Sequence, residues 1–448
     1  MTEKRKRKLA MPDTLIIVAS VVLLVAILSW IIPSGTYDYQ EMNINGRIRN
    51  VAIDGTYHTI DKSEVTTTGF LGFFSVLYRG CVEAADVIFM ILCCCGTFGV
   101  VVKTGAFHAG IGTILKKLKG KEILLVPIIM MIFGLGGSVF GMASEFYGFY
   151  PLIVGLGVAL GYDAMFGFAI IAVGEFVGFM GATLNPYSVG IAQTISGVEL
   201  YSGTGYRAIC FVIFMAISII YVMVYGRKIK KNPGASVVFG EKNIHAFDRD
   251  ELNEYSFTLK DGLVLLDVLV VLVVLMLGLI KWGWDFPQLC GLFLLMSRIA
   301  AAICKWSPNK WCSEFIDSAK TAMWGCILTG IAKAITVVMQ DAQIMDTVIY
   351  GLSNVLKNAP HAVSAQVMLV VQTLINFFIP SATGQASATM PIMAQLADII
   401  GVSRQTAVLA FQFGDGLSNI FWPTADIVII CGLGGISLQK WYKWFTPL

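Results

Sequence analysis

Apolar runs long enough to cross about 30 Å of hydrocarbon recur along this sequence, each closed by a short polar break. They fall at 12–33, 82–102, 122–140, 145–160, 163–183, 205–226, 262–280, 286–304, 319–340, 362–379 and 403–421. Two shorter apolar pieces, 186–197 and 424–437, read as half-spans. The first run is too long for a signal-peptide core and lacks a small-residue cleavage site, so it reads as a retained span. The pattern predicts an all-α polytopic membrane protein. Of the polar stretches, 34–72 is expected as an external loop, and 227–260 as a cytoplasmic linker dividing the chain into halves.

Composition supports lipid as the solvent. The 448 residues are 56% hydrophobic and 14% charged, against roughly 25% charged in soluble domains. A formal net charge of +3 gives no argument for nucleic acid. Positive charge is local instead: Lys4 to Lys8, Lys116 to Lys121, and Arg227 to Lys231. Such clusters flank spans on the cytoplasmic side, which puts the N-terminus inside. The ten cysteines lie mostly in apolar segments and show no zinc-ligand spacing or disulfide framework. The four histidines sit in or near polar connections, so no metal site is expected.

The halves resemble each other. Pro151, Gly161, Gly174 and Glu175 have counterparts Pro391, Gly401, Gly414 and Asp415 at a constant separation of 240 positions. Gly141 and Ser144 match Gly384 and Ser387 at 243, and Pro186 faces Pro423 at 237. An ordered series in nearly one register predicts an internal repeat. The basic clusters suggest that the repeats run in opposite senses, an arrangement common among secondary transporters. The expected organisation is an N-terminal span with external loop over 1–80, a first inverted repeat over 81–226, the linker 227–260, and a second inverted repeat over 261–448.

Candidate chemistry lies where Gly, Ser, Thr and Pro interrupt the apolar pattern, at 134–145 and 380–389. Non-helical backbone at membrane depth is tolerated only where protein or a polar cavity surrounds it. Two re-entrant hairpins fit that requirement, with tips at Ser138, Gly141, Ser144 and Glu145, and at Ser381, Thr383, Gly384, Gln385 and Ser387. Tight packing through small residues is the simpler alternative, but it leaves the clustered hydroxyls unexplained. Each hairpin precedes a helix expected to break, near Thr183, Asn185 and Pro186, and near Ser418, Asn419 and Thr424. Freed carbonyls there can hold Na⁺, and half-helix N-termini can attract a carboxylate; a plain proline kink is the alternative. Asp163 and Ser403 read as helix N-caps. Glu175 and Asp415 lie deeper, where a carboxylate is costly and usually functional; Lys333 and Arg298 are bases that could pair with them. Asp86, Asp267 and Arg207 lie nearer span ends and are expected to reach the interface.

The segments Asn185 to Gln193, Tyr201 to Arg207, Pro380 to Gln385 and Arg404 to Asp415 resemble the YfcC family of bacterial membrane carriers. That family is grouped with the anaerobic four-carbon-dicarboxylate carrier DcuC and with arginine/ornithine exchangers. The resemblance covers nearly the whole chain. It implies the ion-transporter fold, dimeric and moving as an elevator, with the hairpin tips and helix breaks forming the site. Two departures stand out. A bulky Trp422 replaces the small or aliphatic residue more usual at the second break. The second half also stops at Leu448 without a counterpart of span 205–226, which reads as a missing final span.

The expected function is therefore secondary active transport of a small polar solute across the cytoplasmic membrane, with Na⁺ or H⁺ as coupling ion and no other cofactor. The intramembrane acids favour an amino acid, with arginine/ornithine exchange implied by the resemblance. A dicarboxylate carrier is the alternative, and a channel or a non-transporting receptor would be different classes. Enzyme signatures such as H-E-x-x-H, G-x-S-x-G and Walker sequences do not occur.

Overall fold

A computed structural model describes residues 13–44, 47–118, 122–241, 245, 256–357 and 363–448. Lys4 to Lys8, Lys119, Lys121, His361 and most of the segment 242–255 lie outside the described residues. Helix dominates, and among the described residues six helices are long and apolar enough to cross a membrane. Helix α1 (Thr14–Ile31) opens at Asp13, whose carboxylate accepts the Leu15 N–H at 2.8 Å. The segment expected as a plain loop holds four short strands, which corrects the all-α expectation. β1 (Ser34–Thr36) pairs antiparallel with β4 (His58–Ile60), and β2 (Tyr39–Ile44) with β3 (Arg47–Ala52). Short strands carry too few residues for a periodic signal.

Among the described residues the chain continues as helices. These are α2 (Phe70–Glu83), α3 (Ala85–Lys103), α4 (Ala106–Leu118), the helix pair α5 (Leu125–Leu135) and α6 (Phe149–Ala159), α7 (Ala164–Met180), α8 (Val189–Ile195) and α9 (Thr204–Lys231). Helices α10 (Leu259–Lys281) and α11 (Phe286–Ile303) follow. Then come α12 (Pro308–Lys320), α13 (Met323–Asp341), α14 (Met345–Lys357), the pair α15 (Ser364–Phe378) and α16 (Ala382–Ile399), α17 (Arg404–Asn419), α18 (Asp426–Gly434) and α19 (Leu438–Phe445). Helices α3 and α13 both have 19 residues, and α4 and α14 both have 13.

The stretch 380–389, expected to be irregular, is helical from Ala382. Its hydroxyls bond within the helix, Ser387 to the Thr383 carbonyl at 2.9 Å and Thr389 to the Gln385 carbonyl at 2.8 Å, so the polar groups are satisfied without breaking it. Asp163 and Ser403 are N-caps, accepting the Phe166 and Thr406 N–H groups at 2.7 and 3.1 Å.

Packing sorts the helices into two groups. In one, α1, α2, α3, α11, α12 and α13 lie together. Gly80 of α2 meets Gly330 of α13 so closely that a Cβ on Gly80 would stand 2.3 Å from the Gly330 carbonyl oxygen. In the other, the helix pairs α5–α6 and α15–α16 pack on α7 and α17. Helices α7 and α17 touch where Gln412 Nε2 donates to the Phe179 carbonyl at 2.8 Å.

Candidate functional site

Many of the buried polar groups lie in the two helix-turn-helix pairs, in α7 and α17, and in the chain breaks that follow them. Helix α5 widens into a π turn, Gly136–Phe140, and ends at Gly141, whose φ of 68° is left-handed. A Cβ there would lie 2.4 Å from Asn185 Oδ1, so only glycine lets this turn press on the first break. Ser138 Oγ donates to the Gly181 carbonyl at 3.0 Å and lies 3.1 Å from Thr183 Oγ1. Asn185 Oδ1 accepts the Tyr187 and Ser188 N–H groups at 2.9 and 3.2 Å, turning the chain at Pro186. Glu145 follows Ser144 in a single tight turn, and its Oε2 accepts the Ala143 N–H at 3.0 Å. Glu145 is buried and closes its own turn.

The second pair is pinned in the corresponding way. Ser381 caps α16, its Oγ accepting the Gly384 N–H at 3.3 Å. At the second break, Thr424 Oγ1 donates to the Phe377 carbonyl at 2.8 Å, and Trp422 Nε1 to the Thr373 carbonyl at 2.7 Å. The bulky Trp422 therefore anchors the break to α15 through its indole N–H. The halves also exchange bonds: Tyr147 OH donates to Asp426 Oδ1 at 3.2 Å, and Thr383 Oγ1 to the Tyr187 carbonyl at 2.8 Å.

Glu175 and Asp415 are fully buried. Glu175 Oε2 accepts the Tyr150 hydroxyl at 2.7 Å, and its Oε1 has no partner. Asp415 Oδ1 accepts Asn376 Nδ2 at 2.9 Å, and the same nitrogen reaches Gln385 Oε1 at 3.0 Å. Gln385 Nε2 donates onward to Gln372 Oε1 at 2.7 Å. Asp415 Oδ2, Asn376 Oδ1 and Asn419 Oδ1 are buried without hydrogen-bond partners, and each unsatisfied group costs about 1–3 kcal/mol. Ser418 Oγ returns to the Gly414 carbonyl of its own helix. Neither base named from sequence pairs with these acids: the Arg298 guanidinium lies over the Trp311 ring at 5.8 Å, and Lys333 faces a cavity. Arg207 is not at the interface either. It is 1% exposed, because its guanidinium donates to the Ser202 and Thr183 carbonyls at 2.8 and 3.0 Å and so holds the end of the first break.

A cavity of about 730 Å³ lies between the two helix groups. One wall is the α16 N-terminus and second break, with Ser381, Gly384, Ser387, Thr424 and Asp426. The opposite wall is α13, whose Thr329, Lys333, Thr336 and Gln340 recur at helical spacing and so form one polar stripe. Glu83 of α2 lines it as well, with Tyr39, Ile48 and Asn50 of the strands. The Tyr39 hydroxyl is held by Asp346, at 2.8 Å from Oδ1, and burial together with that carboxylate pushes its pKa well above the ordinary value. Of the residues expected to form the site, Ser381, Gly384, Ser387 and Thr424 line this cavity; Ser138, Gly141, Ser144, Glu145, Thr183, Asn185 and Pro186 do not. Asp426 and Glu83 went unassigned, and Lys333 was expected as a partner of the buried acids rather than on a cavity wall. The α13 stripe was available in sequence as polar residues at i, i+4, i+7 and i+11 within a span.

Residues 11–448 match the sequence model of a family described as DcuC, C4-dicarboxylate anaerobic carrier. The chain is 33% identical over 476 residues to the Escherichia coli (strain K12) protein named "Putative basic amino acid antiporter YfcC", covering 98% of this chain and 94% of that one. It is 27% identical over 487 residues to an uncharacterized protein of Haemophilus influenzae, covering 99% and 95%. Among solved structures it is similar to the YdaH transporter of Alcanivorax borkumensis, with a TM-score of 0.43 and 14% identity over 97% of this chain and 95% of that one. It is also similar to MtrF of Neisseria gonorrhoeae, with a TM-score of 0.43 and 15% identity over 98% and 92%.

Proposed function

Because the chain belongs to the DcuC family and is thus a multi-pass membrane transporter rather than an enzyme, we propose that it is a secondary active transporter moving a small polar solute, an amino acid exchanged as arginine for ornithine, across the cytoplasmic membrane. The observation that carries this reading is the cavity between the two helix groups, polar on both walls and lined by Lys333, Asp426 and Glu83 together. Its volume falls within the roughly 300–1,000 Å³ common for small-molecule sites. The relative named as a basic amino acid antiporter supports the same solute class.

In this proposal 81–226 and 261–448 are a pair of inverted repeats, each with a re-entrant hairpin and a broken helix. The group holding the hairpins moves as an elevator against the group holding α3 and α13. The homodimer and the cytoplasmic N-terminus belong to the same reading. The coupling ion, Na⁺ or H⁺, is carried at Asp415, where Asp415 Oδ2, Asn376 Oδ1 and Asn419 Oδ1 offer three oxygens without partners. Glu145, Glu175 and Asn185 then act away from the cavity lining, holding the first hairpin and break in register.

A dicarboxylate is the second reading. It is favoured by the family's description and by the α16 N-terminus and Lys333 on the cavity wall. Uptake of labelled arginine and succinate into proteoliposomes, with and without unlabelled substrate inside, separates the two. Arginine uptake stimulated by internal ornithine is the expected result. Succinate uptake without arginine uptake would overturn the amino acid reading.

A further inference from the structure

Lys333 projects from the α13 stripe into the cavity, and among the described residues it makes no ion pair. Asp426, in the first turn of α18, lines the same cavity from the other helix group; Tyr147 is its one hydrogen-bond partner among the described residues. A lysine that makes no ion pair and faces a polar cavity can receive an anionic group of a solute. The first turn of α16, with Ser381 and Gly384 on the cavity wall, adds partial positive charge on the same side as the hairpin. Glu83 contributes a second carboxylate from α2. The three ionisable groups sum to one negative charge. A solute carrying one carboxylate and two cationic groups completes that set, whereas a dicarboxylate would add two negative charges to it.

Resting on the amino acid reading above, we propose that Lys333 and Asp426 are the two charge poles of the solute site. Lys333 receives the α-carboxylate, Asp426 the α-ammonium, and Glu83 the distal cation. The transporter thus selects α-amino acids with a cationic side chain and rejects the corresponding amines and guanidino acids. The selection is made by unpaired charge: a solute lacking the carboxylate leaves Lys333 facing a positive ligand with nothing to neutralise it, and one lacking the ammonium leaves Asp426 unmatched.

The test uses the full chain in proteoliposomes loaded with arginine. Arginine counterflow is measured against agmatine, which lacks the carboxylate, and against 4-guanidinobutyrate, which lacks the α-ammonium. In the wild type neither analogue should compete at 100-fold excess. Lys333→Gln should weaken arginine by on the order of 100-fold and bring agmatine up to parity with it; Asp426→Asn should do the same for 4-guanidinobutyrate. Lys333→Arg should restore rejection of agmatine, which a merely structural lysine would not require. Should Lys333→Gln fail to fold, competition by agmatine in Lys333→Arg and in the wild type still decides. Counterflow retained with agmatine still rejected in Lys333→Gln, or agmatine competing in the wild type, would overturn the proposal alone. Absence of arginine counterflow in the wild type would overturn the amino acid reading and the proposal with it.

Discussion

Tyr150 and Asn376 support the two deepest carboxylates by different chemistry. Tyr150 gives Glu175 a single hydroxyl proton at 2.7 Å, while Asn376 ties Asp415 into a chain of amides running through Gln385 to Gln372. Glu175 therefore depends on one donor. Replacing Tyr150 with Phe should lower stability by about 1–3 kcal/mol, the penalty for a buried polar group stripped of its partner. Thermal unfolding of detergent-solubilised protein measures it, and an unchanged melting temperature would show that the bond carries nothing. Sequence pointed to Glu175 and Asp415 as acids deep in their spans, and both are buried, because depth in a span is visible along a chain. It did not show which residues face them. Lys333 looked like a partner by span alone, yet lies on the other helix group; Arg207 looked terminal, yet the Thr183 carbonyl at the first break and the Ser202 carbonyl before α9 hold it inside.

At the level of elements, close approach between α5 and α7 rests on glycine. A Cβ on Gly178 would stand 2.1 Å from the Gly134 carbonyl oxygen, and one on Gly137 would stand 2.7 Å from the Glu175 carbonyl oxygen. These obstacles are backbone and cannot swing aside, so small residues set the helix separation. Gly178→Ala should destabilise the protein by about 1–3 kcal/mol through overpacking. Gly351→Ala on exposed α14, where nothing lies within 4 Å of the new methyl, should change stability little. Equal melting temperatures for the two variants would contradict this packing. The long apolar helices were legible because length and hydropathy announce them. The amphipathic helices α2, α4, α12 and α14 were not, since each is too short to cross a bilayer and mixes polar with apolar residues. Helix α16 was missed for a different reason: its Gly, Ser and Thr are poor helix formers alone, and their side chains are satisfied only by the helix and its neighbours.

Across the whole molecule, the cavity wall carries β2 and β3 residues from the segment 34–60, which lies outside under the proposed cytoplasmic N-terminus. On that orientation the cavity opens outward. A membrane-impermeant maleimide added outside should therefore label Ser387→Cys, and arginine should protect it; Ser138→Cys, 0% exposed, should remain unlabelled. Labelling of Ser387→Cys only from the inside would reverse the orientation. Residue spacing could not reveal that the second hairpin, and not the first, lines the cavity, because spacing says nothing of which hairpin faces a gap. The bonds from Tyr147 to Asp426 and from Thr383 to the Tyr187 carbonyl tie each half's turn to the other half's break. Neither half can then drift alone in evolution. A substitution that reshapes one turn also loosens a contact the other half relies upon, so new solute preferences in such a chain should arise through paired changes, one in each half.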